Sequence, residues 1–193
     1  NFDQKKLFIM AESMGGAVAI KYAITRKHKI DGLILLSPMC GIDDSLKPSW
    51  IKTKFLMALS FLLPEKQLID TAADIPGRCK VKPLYAKIRE KDTYYYTDNH
   101  RLCTARECLN TSEWLSENGK KIKTPFILFH GLKDTITIPG KSFEFYKNAD
   151  VKNKELILLD DSDHGVLNEK YDNDTTPIKV FDDIITWTKN MLN

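Results

Sequence analysis

Cysteine is scarce in this chain and poorly arranged for chemistry. There are 4 among 193 residues, Cys40, Cys79, Cys103 and Cys108. They form no Cys-x-x-Cys pair, and none has a histidine at zinc-site spacing. This argues against a disulfide scaffold or a structural zinc site and fits free thiols in a reducing, cytoplasmic setting. Long apolar runs are missing too. A membrane span needs about 20 apolar residues; the longest stretch, Phe55–Leu63, falls well short and is broken by Ser60. An excess of one charge is also missing. The 29 Lys and Arg against 26 Asp and Glu leave +3, too little to predict nucleic-acid binding. Internal repeats and low-complexity segments are absent. The chain opens with Asn1 rather than Met and enters a buried-type strand within a few residues, so it is expected to be the latter part of something longer.

What is present suits a globular protein with a real core, at 42% hydrophobic and 28% charged residues. Leu7 to Met10 are consecutively apolar, as in a buried parallel strand. A short turn, Ala11-Glu12-Ser13-Met14-Gly15-Gly16, leads into a helical pattern from Ala17 to Lys27. Its cationic end suits a helix C-terminus. Ile30–Ser37 is a second apolar strand, stopped by Pro38. Strand, turn, helix and strand in that order are the signature of a parallel α/β sheet. The rhythm stops between about Asp43 and Thr111, where helical fragments alternate with Pro48, Pro64, Pro76 and Pro83. It resumes with strands at Pro125–His130 and Glu155–Leu159 and a helix at Gly140–Lys147. A closing helix carries Val180, Ile184, Trp187 and Met191 on one face. The predicted organisation is an α/β core over residues 1–42 and 112–193, split by a helical insertion over 43–111.

Ser13 stands directly between a buried strand and a helix, the setting of a nucleophile elbow. A sharp turn there exposes the hydroxyl at the carboxyl edge of the sheet. It demands small residues two positions either side, met by Gly15 and, with one extra methyl, by Ala11. The alternative is a serine that caps the helix. A serine nucleophile needs a base. Of four histidines, His28 lies in a basic helix end and reads as solvated, and His100 falls in the insertion. His130 ends a strand just before Gly131 and reads as structural. His164 lies in the polar loop Asp160–Gly165 after the last strand, from which it can reach Ser13. The base needs an acid to hold its tautomer. Asp134 sits on the loop after the Phe126–His130 run; Asp160, Asp161 and Asp163 are rivals, Asp163 being adjacent in sequence and poorly placed to face His164. The order Ser13, Asp134, His164 is that of α/β hydrolases.

On these residues the chain resembles the monoacylglycerol lipase and lysophospholipase branch of the α/β-hydrolase fold. The resemblance rests on Ala11–Ile20, Leu35–Ile42, Arg101–Leu115, Thr124–Gly140 and Asp160–Glu169 and matches the C-terminal two-thirds of that fold. It implies Ser13 as nucleophile, Asp134 as acid, His164 as base and the Met14 N–H as an oxyanion donor. It implies a partial parallel sheet flanked by helices, with the insertion as a cap over an acyl channel. The family's second oxyanion donor comes from a His-Gly motif on an earlier strand, which this chain does not supply; His130-Gly131 occupies the acid-loop strand instead. The implied activity is cleavage of a lipid ester with no metal or cofactor. Alternatives are a small-ester or thioester hydrolase and a non-catalytic lipid-binding fragment. No oligomeric state is implied.

Within the insertion, Ser49–Leu63 is the most lipid-like stretch. Ile51, Phe55, Leu59 and Leu62 share one helical face. They read either as plain packing of the cap or as an acyl-chain wall and a peripheral membrane contact, with Phe55, Leu59 and Leu62 as candidate substrate-binding residues. The cationic segment Arg78, Lys80, Lys82, Lys87, Arg89 and Lys91 reads either as a solvated face or as a contact for anionic headgroups. The 43–111 segment holds 12 basic and 9 acidic residues and the remainder 17 of each, so the whole net charge sits on the insertion.

Overall fold

The computed structural model describes residues 5–26, 29–42, 49–68, 87, 90–94, 96, 98–168 and 170–192. Arg78, Lys80, Lys82 and Arg89 of the cationic segment, and also His28 and Cys79, lie outside the described residues.

Four parallel strands form one sheet in sequence order: β1 (Phe8–Glu12), β2 (Gly32–Leu36), β3 (Phe126–Gly131) and β4 (Lys154–Leu159). Pairing is in register through Met10 with Ile34, Ile34 with Ile127, and Ile127 with Glu155. Every residue of β2 and β3 is buried, whereas the edge strands β1 and β4 are partly exposed. The central strands show why continuous apolar runs were needed. Side chains alternate between faces, and both faces are covered here. Leu33, Leu35, Phe126 and Leu128 pack on one side with Ala17, Ile20, Leu115 and Phe145. Ile34, Leu36, Ile127 and Phe129 pack on the other with Val180, Ile184 and Trp187. Each such side chain contributes about 1.5–3 kcal/mol by leaving water.

Helix α1 (Met14–Thr25) connects β1 to β2, and α4 (Pro139–Asn148) connects β3 to β4. Proline at the start of α4 suits a first turn, whose N–H groups have no intrahelical partner anyway. The closing helix α5 (Thr176–Leu192) buries Val180, Ile184 and Trp187, with Met191 packed beside them. Between β2 and β3 lie α2 (Trp50–Leu62) and α3 (Leu102–Asn118), with no strand among the described residues. The Arg106 guanidinium of α3 lies 4.3 Å from the Phe61 ring. It also donates to the Ser60 carbonyl and hydroxyl at 3.3 and 3.1 Å, tying the two helices together. Helix α3 runs unbroken through Thr111, where the sequence rhythm placed a boundary. Its Leu115 is in the core, and the Ser112 hydroxyl accepts from the Ile42 N–H at 2.7 Å. The rhythm located the return to α/β structure and read helical fragments before it, but did not bound this helix, whose charged and polar composition hides a narrow buried face. Among the described residues no helix is long and apolar enough to cross a membrane.

Candidate active site

Helix α1 starts at Met14, three residues earlier than its apolar pattern suggested, so Ser13 is the single hinge between strand and helix. Its backbone is in the left-handed region, φ 52° and ψ −124°, a conformation costing about 1–3 kcal/mol in a non-glycine residue. Surrounding hydrogen bonds hold it there. The Ser13 N–H donates to the Leu36 carbonyl at 3.0 Å, and its carbonyl accepts from Gly16 and Met39 at 3.0 and 2.9 Å. The side chain makes no capping hydrogen bond to α1, so the helix-cap alternative does not describe this serine. Met14 follows at once, and the first N–H groups of a helix are left without intrahelical acceptors. This presents an N–H and the positive end of the helix dipole beside the hydroxyl.

The close packing that the elbow requires falls on a different glycine from the one its spacing indicated. A Cβ on Gly15 would meet nothing within 4 Å, whereas one on Gly16 would lie 2.5 Å from Pro38 Cβ and 3.0 Å from its Cα. Gly15 is exposed on the first turn, and Gly16 is buried where α1 crosses the segment leaving β2.

The loops after β3 and β4 meet at the same sheet edge. Gly131 is their crossing point, since a Cβ there would sit 2.3 Å from the Asp163 carbonyl oxygen and 2.4 Å from that of Ser162. Asp134 then falls against His164, with His164 Nδ1 2.8 Å from Asp134 Oδ2. An imidazole N–H facing a carboxylate donates to it, which leaves Nε2 of the neutral ring as the acceptor. Asp134 is 4% exposed and richly partnered. Its Oδ1 accepts from the Ile136 and Thr137 N–H groups at 2.7 and 3.0 Å. The Thr137 hydroxyl lies 2.7 Å from Oδ2 and 3.0 Å from the Ser37 carbonyl. His130 Nε2 is 3.1 Å from Oδ2. Burial pushes this carboxyl up, but the hydrogen bonds from His130, His164 and Thr137 outweigh it and hold Asp134 well below the usual carboxylate range.

Of the rival carboxylates, Asp160 is exposed, and the other two are engaged elsewhere. Asp161 is exposed and pairs with Lys133 at 2.6 Å, and Asp163 accepts from the Gly165 N–H at 3.2 Å. His130 and Thr137 surround Asp134, though sequence reasoning read His130 only as structural and passed over Thr137. A histidine closing a run of buried apolar residues was the available signal, because a buried polar ring must find partners.

Helix α2 holds the proposed acyl contacts. Phe55 and Leu62 are exposed and Leu59 half-buried. The apolar cavity beside Met14, about 300 Å³, lies elsewhere, between α1 and α3. Its walls include Met14, Val18, Met39, Cys103, Cys108 and Thr111, and none of the three α2 residues lines it. Among the described residues no cluster of His, Cys, Asp and Glu could hold a metal ion.

A family model described as "Serine aminopeptidase, S33" matches residues 1–171. The chain belongs to this α/β-hydrolase family. It is 29% identical over 171 residues to caffeoylshikimate esterase of Arabidopsis thaliana, covering 86% of this chain and 50% of that protein. It is 28% identical over 199 residues to the monoglyceride lipase of Saccharomyces cerevisiae, covering 94% and 59%. The chain thus spans about half the length of the curated relatives it matches. Among solved structures it resembles the monoacylglycerol lipase of Paleococcus ferrophilus with a TM-score of 0.81 at 22% identity, over 96% of this chain and 69% of that one. A soluble variant of the Saccharomyces cerevisiae monoglyceride lipase gives 0.78 at 24% identity, over 96% and 62%. At such identities these likenesses speak to the α/β-hydrolase fold. The two enzymes matched in sequence are an esterase and a lipase.

Proposed function

We propose that the protein is a serine hydrolase that cleaves carboxylic esters of lipids, monoacylglycerol or lysophospholipid, through an acyl-enzyme on Ser13. The observation that carries this reading is the strained Ser13, whose hydroxyl is not spent on capping α1, at the same sheet edge as the His164–Asp134 pair. Ser13 Oγ attacks the ester carbonyl while His164 Nε2 takes its proton. The Met14 N–H stabilises the oxyanion, the kind of contribution worth about 10²–10³ in rate. His164 returns the proton to the departing alcohol, and the acyl group remains on Ser13. Water deprotonated by His164 then releases the fatty acid. Asp134, kept ionised by its hydrogen bonds, holds the imidazole tautomer and offsets the charge of the imidazolium.

Lipid as the substrate class is supported by the mostly apolar cavity beside Met14 and by the names of the monoglyceride lipases the chain matches. It is also supported by α2, which exposes Trp50, Ile51, Phe55, Phe61 and Leu62. Residues 43–111 then act as a cap, with Phe55, Leu59 and Leu62 meeting acyl chain or membrane surface. A small, non-lipid ester is the second reading, favoured by the match to caffeoylshikimate esterase.

Two measurements on the purified protein test this. A fluorophosphonate probe labels wild type, and Ser13→Ala abolishes both labelling and a turnover expected to fall on the order of 10⁶-fold. Equal labelling of Ser13→Ala overturns the mechanism. Across glycerol monoesters from acetyl to oleoyl, kcat/KM rises with chain length; a flat series overturns the lipid assignment and supports the small-ester one.

A further inference from the structure

We propose that His130 is a positioning residue for the acid, and that it fixes which oxygen of Asp134 is offered to His164. The inference rests on the triad proposed above. His130 is fully buried at the end of β3. Its Nε2 lies 2.8 Å from the Thr137 carbonyl and 3.1 Å from Asp134 Oδ2. Both neighbours accept only, so Nε2 bears the proton and shares it between them. Nδ1 lies 2.8 Å from the Ser142 hydroxyl of α4, a second contact that anchors the ring.

The geometry assigns a specific task to this ring. Residues Asp134 to Thr137 fold around the carboxylate, with the Ile136 and Thr137 N–H groups both on Oδ1. Those bonds hold Oδ1 to the loop's own backbone, and the Thr137 hydroxyl and the Asp134 N–H tie the loop to the Ser37 and Gly131 carbonyls. His130 is the side chain that reaches from β3 to both ends of the loop at once, the Asp134 carboxylate and the Thr137 carbonyl. It bonds Oδ2, the same oxygen that receives His164. The Thr137 hydroxyl cannot replace it, because its single proton is divided between Oδ2 and the Ser37 carbonyl. His130 therefore acts on the chemistry through Asp134 and never touches substrate.

The test compares His130→Gln with His130→Leu in the purified protein, on the ester that wild type turns over best. The Gln amide places an N–H near the position of Nε2; Leu fills the space without a donor. His130→Leu is expected to lose about 10²-fold in kcat, the usual cost of misplacing a catalytic group by about 1 Å, with KM near wild type. His130→Gln is expected to recover most of the loss. A merely structural ring predicts the reverse pattern: both variants lose melting temperature, and the folded fraction keeps wild-type kcat. Ser142→Ala, a smaller change that leaves the imidazole in place, gives a second reading should His130→Leu fail to fold. It is expected to lower kcat at unchanged KM, and wild-type kcat overturns the proposal. Asp134→Asn separates the two levels. If Asp134→Asn is inactive while His130→Leu and Ser142→Ala turn over normally, this inference fails and the triad stands. If Asp134→Asn is active, the triad itself fails.

Discussion

Gly131→Ala puts the crossing of the loops after β3 and β4 to a direct test. The added Cβ would lie 2.3 Å from the Asp163 oxygen, 2.4 Å from the Ser162 oxygen and 2.5 Å from the Ser162 carbonyl carbon, where ordinary contact begins at 3.4 Å. All three are backbone atoms, so no side chain can swing aside. The 162–163 backbone must withdraw by about 1 Å, and His164 is the next residue. A displacement of that size at a catalytic group costs roughly 10²-fold in rate. Overpacking of this kind also costs about 1–3 kcal/mol of stability, each kcal/mol lowering Tm by roughly 2–4 °C in a chain of this size. The assay is kcat on a preferred ester at a temperature where both proteins are folded, beside a thermal melt. Gly140→Ala is the matched control, because its Cβ would meet only Ile138 Cγ2, at 3.9 Å, and it should keep wild-type kcat. Wild-type turnover in a folded Gly131→Ala protein would refute the reasoning, since the His loop would then not be locked against β3.

Two further outcomes follow from ionisation. Asp134 is held well below its unfolded value, so the folded state binds fewer protons there. The stability it contributes is present above the unfolded pKa of about 3.9 and lost as pH falls further. Denaturant midpoints should therefore drop below about pH 4 in wild type and less steeply in Asp134→Asn; equal slopes contradict the assignment. Burial pushes the Cys40 thiol up to about 12, whereas Cys103 and Cys108 are half-buried. Maleimide at neutral pH should label Cys103 and leave Cys40 untouched until the protein is denatured, as read by peptide mass mapping. Labelling of native Cys40 at the rate of Cys103 would show that it is not sealed in the core.

Much of the architecture was legible because its determinants are local. Apolar runs such as Leu33–Leu36 and Phe126–Phe129, short and flanked by Gly32 and Pro125, read as strands covered on both faces. Ser13 between a strand and a helix announces its own turn. The order of Ser13, Asp134 and His164 carries the topology, because each follows a strand whose carboxyl end lies at one edge. The bounds of helix α3 were not legible because few of its side chains are buried, and its placement depends on Leu115 finding the sheet and Arg106 finding α2. The demand for glycine moved from Gly15 to Gly16 because it is set by where Pro38 passes, a contact between segments distant in sequence.

The sequence by itself determined the parallel α/β core, its interruption and the three residues at the sheet edge, all through patterns a few residues long. Tertiary structure alone decided that His164 faces Asp134 and not its sequence neighbour Asp163, and that Gly131 must lack a side chain for the two loops to cross. It also decided that His130 Nε2 lies 3.1 Å from Asp134 Oδ2. These depend on backbone approaches of a few ångströms between strand ends, and no local pattern encodes such distances.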